Sequence, residues 1–273
     1  METYLMISGA TGGLGSALVV ECARRGYNLY LTDISEDGAE FAHFIAKTYG
    51  IEARYRACDL TSSQARQEMF TQFKAEGCSF WGLLNVAGLD NEGAFLEKSR
   101  EQILRIIQVD VESTVDMTYS ILSLRAHDRR FILVNVCSLA AFFPMPYKAT
   151  YAASKRFLVE FSRAIREEIG DFGSVTALCP GGLPTTPASM RKIFAQGFWG
   201  KMTTMDVETV ARRTIDYALR GRAVYIPGLL NCILQWLGAL IPPGIVAKFI
   251  GKRWRTAQKE SLAVTARKNL ETT

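Results

Sequence analysis

Tyr4-Leu5-Met6-Ile7-Ser8-Gly9-Ala10-Thr11-Gly12-Gly13-Leu14-Gly15 runs a short apolar strand pattern into spaced glycines and then into a helical pattern, Gly15–Arg25. Such a turn lets the backbone bend tightly and lets a pyrophosphate approach the N–H groups at a helix N-terminus, where the dipole favours negative charge. Side chains larger than hydrogen obstruct both. The spacing Gly9-x3-Gly13-x-Gly15 departs from GxGxxG, and glycine turns without a ligand are common. Its place between a first strand and a first helix is what points to a dinucleotide. Asp33 closes the second strand pattern. A carboxylate there can accept hydrogen bonds from the ribose hydroxyls and repels a 2′-phosphate; the lesser alternative is a helix cap or a solvated loop carboxylate. The residues after it, Ile34-Ser35-Glu36-Asp37, are acidic rather than basic, and Thr11 is neutral. That pattern favours NAD over NADP.

Outward from this turn, short β-rich runs alternate with helical patterns. The runs are Tyr4–Ser8, Asn28–Thr32, Ala53–Ala57, Trp81–Val86, Phe131–Val136, Ser174–Cys179 and Arg222–Ile226. Between them lie helical segments at Asp37–Tyr49, Ser62–Glu76, Ser99–Arg125, Tyr151–Gly170 and Asp206–Leu219. Nearly continuous apolar runs such as Phe131-Ile132-Leu133-Val134 suit strands buried on both faces. The expected architecture is α/β: a doubly wound Rossmann-type fold with a seven-stranded parallel sheet flanked by helices. Gly26, Gly50, Gly77, Gly170 and Gly221 stand where helices should stop in a left-handed residue. No repeat or linker divides the chain.

Composition narrows the function. A chain of 273 residues with 48% hydrophobic side chains fills a large core, which excludes disorder. A net charge of +5, spread along most of the chain, is no nucleic-acid stripe. Six scattered cysteines and two histidines give neither a metal-ligand cluster nor a disulfide framework, so no metal and a reducing, cytoplasmic setting are expected. Glu2 and the early glycines do not read as a signal peptide.

Tyr151-Ala152-Ala153-Ser154-Lys155 opens a helical pattern, placing Tyr and Lys at i and i+4 on one face. A phenol ordinarily titrates near pH ~10, too high for proton transfer at neutral pH, and a neighbouring ammonium lowers it. Taken alone, such a pair is usually a surface feature. Here its context resembles the short-chain dehydrogenase/reductase family. The family's TGxxxGxG loop matches Ser8-Gly9 through Gly15, with Ser8 for Thr, and implies dinucleotide contacts from Gly9, Thr11, Gly12, Gly13, Leu14 and Gly15. Its adenine-contacting Asp matches Asp59, followed by Leu60. Its NNAG segment matches Asn85-Val86-Ala87-Gly88, with Val86 for the second Asn. Its PG motif matches Pro180-Gly181, and its threonine at the nicotinamide carboxamide matches Thr185. The catalytic serine matches Ser138, and YxxxK matches Tyr151 and Lys155. The resemblance spans about residues 1–226 in the family's order. It implies a tyrosine acid/base, a serine that holds the substrate oxygen, a lysine that binds the nicotinamide ribose and lowers the tyrosine pKa, and a homo-oligomer packed through the fourth and fifth helices.

One departure from the family matters most. Val109-Asp110-Val111 carries Asp110 where an Asn usually supports a water chain to the lysine; a carboxylate there can hold a water or pair with Lys155. Asp110 is also the residue that keeps a rival open, a dinucleotide sensor or scaffold without turnover. Cys137, where many relatives carry Ser, reads as a small strand-end residue.

The segment from Pro184 to Thr204 occupies the place of a substrate loop. Pro187, Met190, Ile193, Phe194, Phe198, Trp199 and Met202 make it apolar, while Arg191, Lys192 and Lys201 could meet an anionic tail. This suits a bulky hydrophobic substrate, or else simple core packing. Residues 227–273 form an extension expected to pack on the same domain. Ala223 to Ala247 is uncharged, yet the helix expected at Leu229 to Leu240 rises only about 18 Å, short of a ~30 Å bilayer core. Lys248, Lys252, Arg253 and Arg255 follow it. An apolar helix with such a cluster can roof the pocket, cover a subunit interface or lie on an anionic membrane. The arrangement is similar to extensions in hydroxysteroid dehydrogenases and long-chain 3-ketoacyl reductases. The functional expectation is NAD(H)-linked interconversion of a secondary alcohol and a ketone on a small hydrophobic, steroid-like or fatty-acyl substrate.

Overall fold

A computed structural model describes residues 2–185 and 204–254. The strands are β1 (Thr3–Ser8), β2 (Leu29–Asp33), β3 (Ala53–Ala57), β4 (Ser79–Asn85), β5 (Phe131–Val136), β6 (Gly173–Leu178) and β7 (Val224–Tyr225). All pair in parallel, in the order β3-β2-β1-β4-β5-β6-β7. The helices that matter below are α1 (Gly13–Arg24), α2 (Gly38–Tyr49), α3 (Ser63–Ala75), α4 (Arg100–Ile107), α5 (Ser113–Ser123), α6 (Ala149–Glu168), α7 (Val207–Leu219) and α8 (Leu229–Leu240).

Alternation along the strands builds a core on each face of the sheet. Leu5 and Ile7 of β1 join Leu29, Leu31 and Leu84 against Leu18 and Val19 of α1 and Ile215 of α7. Tyr4 and Met6 point the other way, with Tyr30, Leu83 and Phe131, against Met69 and Phe73 of α3 and Ile121 of α5. The Phe73 ring meets Tyr30 and Phe80 edge-on or tilted, at 4.6 and 5.2 Å between centroids. The strand order reverses between β1 and β4, parallel neighbours whose ends pair Ser8 with Asn85. In open α/β sheets the crevice at that reversal is where ligands bind.

Three expectations needed correction. The helix expected at Ser99–Arg125 is interrupted by a π-helical turn, Gln108–Glu112, between α4 and α5. The wider turn carries Asp110 inward to full burial, where the Leu89 N–H (2.9 Å) and the Ser154 hydroxyl (2.7 Å) donate to its carboxylate. π-bulges of this kind concentrate at functional sites. Gly170 is not left-handed, unlike Gly26, Gly50, Gly77 and Gly221. Instead α6 ends at Glu168, and the Ile169 N–H closes onto Ile165. The last strand is only Val224–Tyr225, which pair with Ala177 and Leu178 of β6, and not the expected Arg222–Ile226.

The extension forms α8 where it was expected, followed by a helix over 243–254. Pro242 and Pro243 end the first and start the second, as the missing proline N–H allows at a helix's first turn. The Ile245 N–H returns to the Pro242 carbonyl at 2.9 Å. Both helices lie on the segment after β5: Gly238 admits the Phe143 ring where a methyl group would overlap it, and Gly251 faces Pro146. Among the described residues no helix is long and apolar enough to cross a membrane.

Candidate active site

A cavity of about 1450 Å³ opens beyond the carboxyl ends of β1, β4, β5 and β6. Its floor at one end is the glycine turn. Gly9 has φ +65°, and a methyl group there would stand 2.6 Å from the Ala87 nitrogen. A methyl on Gly15 would overlap the Gly9 carbonyl. Gly12 differs: its nearest neighbour in that direction is the Gly9 oxygen at 3.4 Å, so a side chain there would project without a clash into the cavity that Gly12 lines. Ser8 knits the turn to the loop after β4, its hydroxyl accepting from the Val86 N–H at 3.2 Å.

These contacts separate folding from binding. Gly15→Ala should destabilise the protein by about 1–3 kcal/mol or more through overpacking and abolish dinucleotide binding with it. Gly12→Val should leave the Tm near wild type and still lose dinucleotide binding. Thermal melts with and without NADH, beside a fluorescence titration, check both; NADH binding retained in Gly12→Val would remove the turn from the cofactor site.

Most of the expected residues meet at this cavity. Gly9, Gly12, Gly13, Leu14, Gly15, Asp33, Asp59, Leu60, Ala87, Gly88, Ser138, Tyr151, Lys155, Pro180, Gly181 and Thr185 all line it. Thr185 packs so closely on Gly13 that a side chain there would strike it. Two residues expected at the cofactor do not line the cavity. Thr11 turns to Asp33, donating to its carboxylate from N–H (2.9 Å) and hydroxyl (2.7 Å). Asn85 faces the helical layer, its amide donating to Asn135 (2.9 Å) and to Thr118 of α5 (3.2 Å). Asp110 lies behind the wall formed by Gly88. Residues 186–203 of the expected substrate loop, including Pro187, Met190, Phe194, Phe198 and Trp199, fall outside the described residues, as do Arg191, Lys192, Lys201 and Arg255.

Tyr151 and Lys155 share one face of the first turns of α6. The Lys155 ammonium lies 5.7 Å from the phenol ring centre, donates to the Val136 carbonyl at 3.1 Å, and stands 3.5 Å from the Asp110 carboxylate. Both members of that ion pair are buried. Burial, then the Asp90 carboxylate, push the Tyr151 phenol well above its ordinary range; a hydrogen bond with Ser138 acts the other way, and Asp110 adds a smaller upward push. At Asp59, burial is outweighed by the N–H and hydroxyl of Thr61 (2.9 and 2.8 Å), with help from Arg105, and its carboxyl is held below the usual range.

Sequence reasoning missed a second cluster. The Lys148 ammonium pairs with Asp90 and Glu92, both at 2.6 Å, and sits 5.5 Å from the Tyr151 ring centre and 5.6 Å from that of Trp254. Burial works against the charge on Lys148, but the two carboxylates hold its pKa above the ordinary value. The signal was present: Lys148 precedes Tyr151 by three residues, and two acids follow Gly88 closely. Only the fold shows that these segments face each other.

The family model for short chain dehydrogenases matches residues 3–194. The chain belongs to the short-chain dehydrogenase family. Among relatives, a very-long-chain 3-oxoacyl-CoA reductase of Mycosarcoma maydis is 29% identical over 171 residues, covering 61% of this chain and 49% of the reductase. The chain thus spans about half of that relative's length. Hydroxysteroid dehydrogenase-like protein 1 of Gallus gallus is 27% identical over 270 residues, 97% of this chain and 80% of the relative. Among solved structures, a 7beta-hydroxysteroid dehydrogenase superposes with a TM-score of 0.80 at 21% identity, over 91% of this chain and 96% of that one. This last likeness concerns the fold alone.

Proposed function

We propose that this family member is an NAD(H)-dependent oxidoreductase that interconverts a secondary alcohol and a ketone on a hydrophobic substrate, with Tyr151 as acid/base. One observation carries the reading. Tyr151, Ser138 and Lys155 converge in a single cavity that is glycine-lined at one end and roofed by apolar side chains of α8 and the helix over 243–254.

The residues fit a nicotinamide dinucleotide. Gly12 offers bare backbone to the cavity at the N-terminus of α1, suited to a pyrophosphate, and Asp33 stands beside it for the ribose hydroxyls. Asp59 would hold the adenine end, and Lys155 and Thr185 the nicotinamide end, since all three line the same cavity. Such a group, when bound, gives or takes the hydride at the carbinol carbon. The chain supplies the rest. In reduction Tyr151 donates its phenolic proton to the ketone oxygen; in oxidation it takes that proton back. The Ser138 hydroxyl holds the same oxygen. Lys155 places positive charge behind the ring, which favours the phenolate as the proton leaves. Asp110 fixes Lys155 from behind, a role a neutral Asn fills differently.

The roof supports a lipophilic substrate: Leu234, Leu237, Ile241 and Phe249 line it. The names of the relatives, a 3-oxoacyl-CoA reductase and a hydroxysteroid dehydrogenase-like protein, agree with such a class. Loss of NADH absorbance against ketosteroids, 3-ketoacyl thioesters and small ketones is the test. Turnover confined to small polar ketones, or none in any class despite NADH binding, would sink the substrate or the activity respectively.

The Asp33 carboxylate supports the choice of NAD, because a 2′-phosphate would bring negative charge against it. NADH should show a lower KM than NADPH, and Asp33→Asn should narrow that ratio mainly by improving NADPH. Steady-state KM values for both nucleotides check this; an unchanged ratio would remove Asp33 from the choice.

A further inference from the structure

Helix α8 has two long faces with different surroundings. Leu234, Leu237, Gly238 and Ile241 turn to the cavity. Leu229, Ile233, Trp236 and Leu240, spaced four, three and four residues apart, form a stripe on an adjoining face, and all are exposed. Trp236 and Leu240 are 66% and 65% exposed, in a helix of 12 residues without a charged side chain. The next helix continues the apolar surface with Ile245 and Phe249, 60% and 70% exposed. Soluble chains seldom leave so many large apolar side chains together in water, and a patch of this kind marks a docking surface.

Charge identifies what docks. From Tyr217 to Trp254 there is no acidic residue, and Lys248, Lys252 and Arg253 are exposed beside Phe249. Aromatic and aliphatic side chains flanked by cations suit the boundary between acyl chains and anionic headgroups. A further observation gives the surface a purpose. Ile241, Ile245 and Phe249 are exposed and also line the cavity, so the cavity opens onto this apolar face. We infer that α8 and the helix over 243–254 dock the protein on anionic lipid surfaces and that the cavity mouth there admits lipophilic substrate from the bilayer side. The entry route rests on the oxidoreductase reading above; the docking does not.

The test therefore uses the full chain without cofactor or substrate. It is mixed with vesicles of phosphatidylcholine alone or with phosphatidylserine, and pelleting is measured. Wild type should pellet with the anionic vesicles and not with neutral ones. Trp236→Glu/Leu240→Glu should abolish pelleting, and Lys248→Ala/Lys252→Ala should weaken it about thirtyfold. Cys232, the one exposed cysteine and part of α8, can carry a polarity-sensitive dye on otherwise unchanged protein. Its emission should shift to the blue on anionic vesicles, which decides the matter even if a variant folds poorly. Equal pelleting of wild type and Trp236→Glu/Leu240→Glu, or no dye shift, overturns the proposal. So does a wild-type dimer that dissociates in that variant without vesicle binding, since the face would then belong to a second copy of the chain. Failure of docking with turnover intact leaves the oxidoreductase reading standing, and the reverse also holds.

Discussion

Tyr151→Phe is expected to lower kcat by about 10²- to 10⁴-fold, the usual worth of a positioned general acid/base, with the Kd for NADH little changed. The ring remains, so packing near Lys148 survives, while the hydroxyl that carries the proton and bonds to Ser138 is lost. Stopped-flow reduction and a binding titration on the same preparation check both halves. Retained turnover would transfer the acid/base role elsewhere. The environment also sets a sign for pH. Burial and then Asp90 disfavour the phenolate, so the phenol arrives protonated and ready to act as an acid. Removing the Asp90 charge favours the phenolate. Asp90→Asn should therefore move the pH profile of alcohol oxidation to lower pH, and the high-pH fall of ketone reduction with it. A profile of kcat/KM that stays in place would mean that Asp90 does not act on the reacting group.

Lys155→Met should cost about 3–5 kcal/mol of stability, the usual loss when one member of a buried ion pair is removed and the other left alone. Asp110 then keeps the Leu89 N–H and the Ser154 hydroxyl but no cation within the wall. Adding Asp110→Asn should recover part of the loss, because an amide carries no charge to strand. Urea unfolding of wild type, the single variants and the double variant closes the cycle. A Lys155→Met protein as stable as wild type would show that the two groups are not held as an ion pair. Activity should vanish in either lysine variant, so stability is the informative readout.

The parallel sheet was legible because apolar runs buried on both faces differ in length and period from the amphipathic helices between them. The glycine turn was legible because Gly15 answers a steric demand from the Gly9 carbonyl six residues before it and Gly9 takes a left-handed φ, whereas the contact that Gly9 makes with Ala87 lies far along the chain. Tyr151 and Lys155 could be paired from helix spacing alone. Thr11 and Asn85 show where such reading stops. The expected motif names the positions, but the direction of a side chain at the end of β4 depends on Thr118 and Asn135, distant in sequence. The same holds for Lys148, which meets Asp90 and Glu92 only because β4 and α6 present neighbouring ends.

Sequence by itself determined the strand and helix order, the glycine turn, the Tyr151–Lys155 spacing and the place of α8, since each depends on local sterics, periodicity or spacing; Ser138 was implied by the family resemblance. Tertiary structure decided the rest. It broke the long fourth helix with a π-helical turn, because burying a carboxylate requires partners, and Lys155, Ser154 and Leu89 come from other segments. It also divided α8 into a cavity face and an exposed face. Helical periodicity reveals that a surface is apolar, but only packing against Phe143 and the segment after β5 determines which part of that surface is covered.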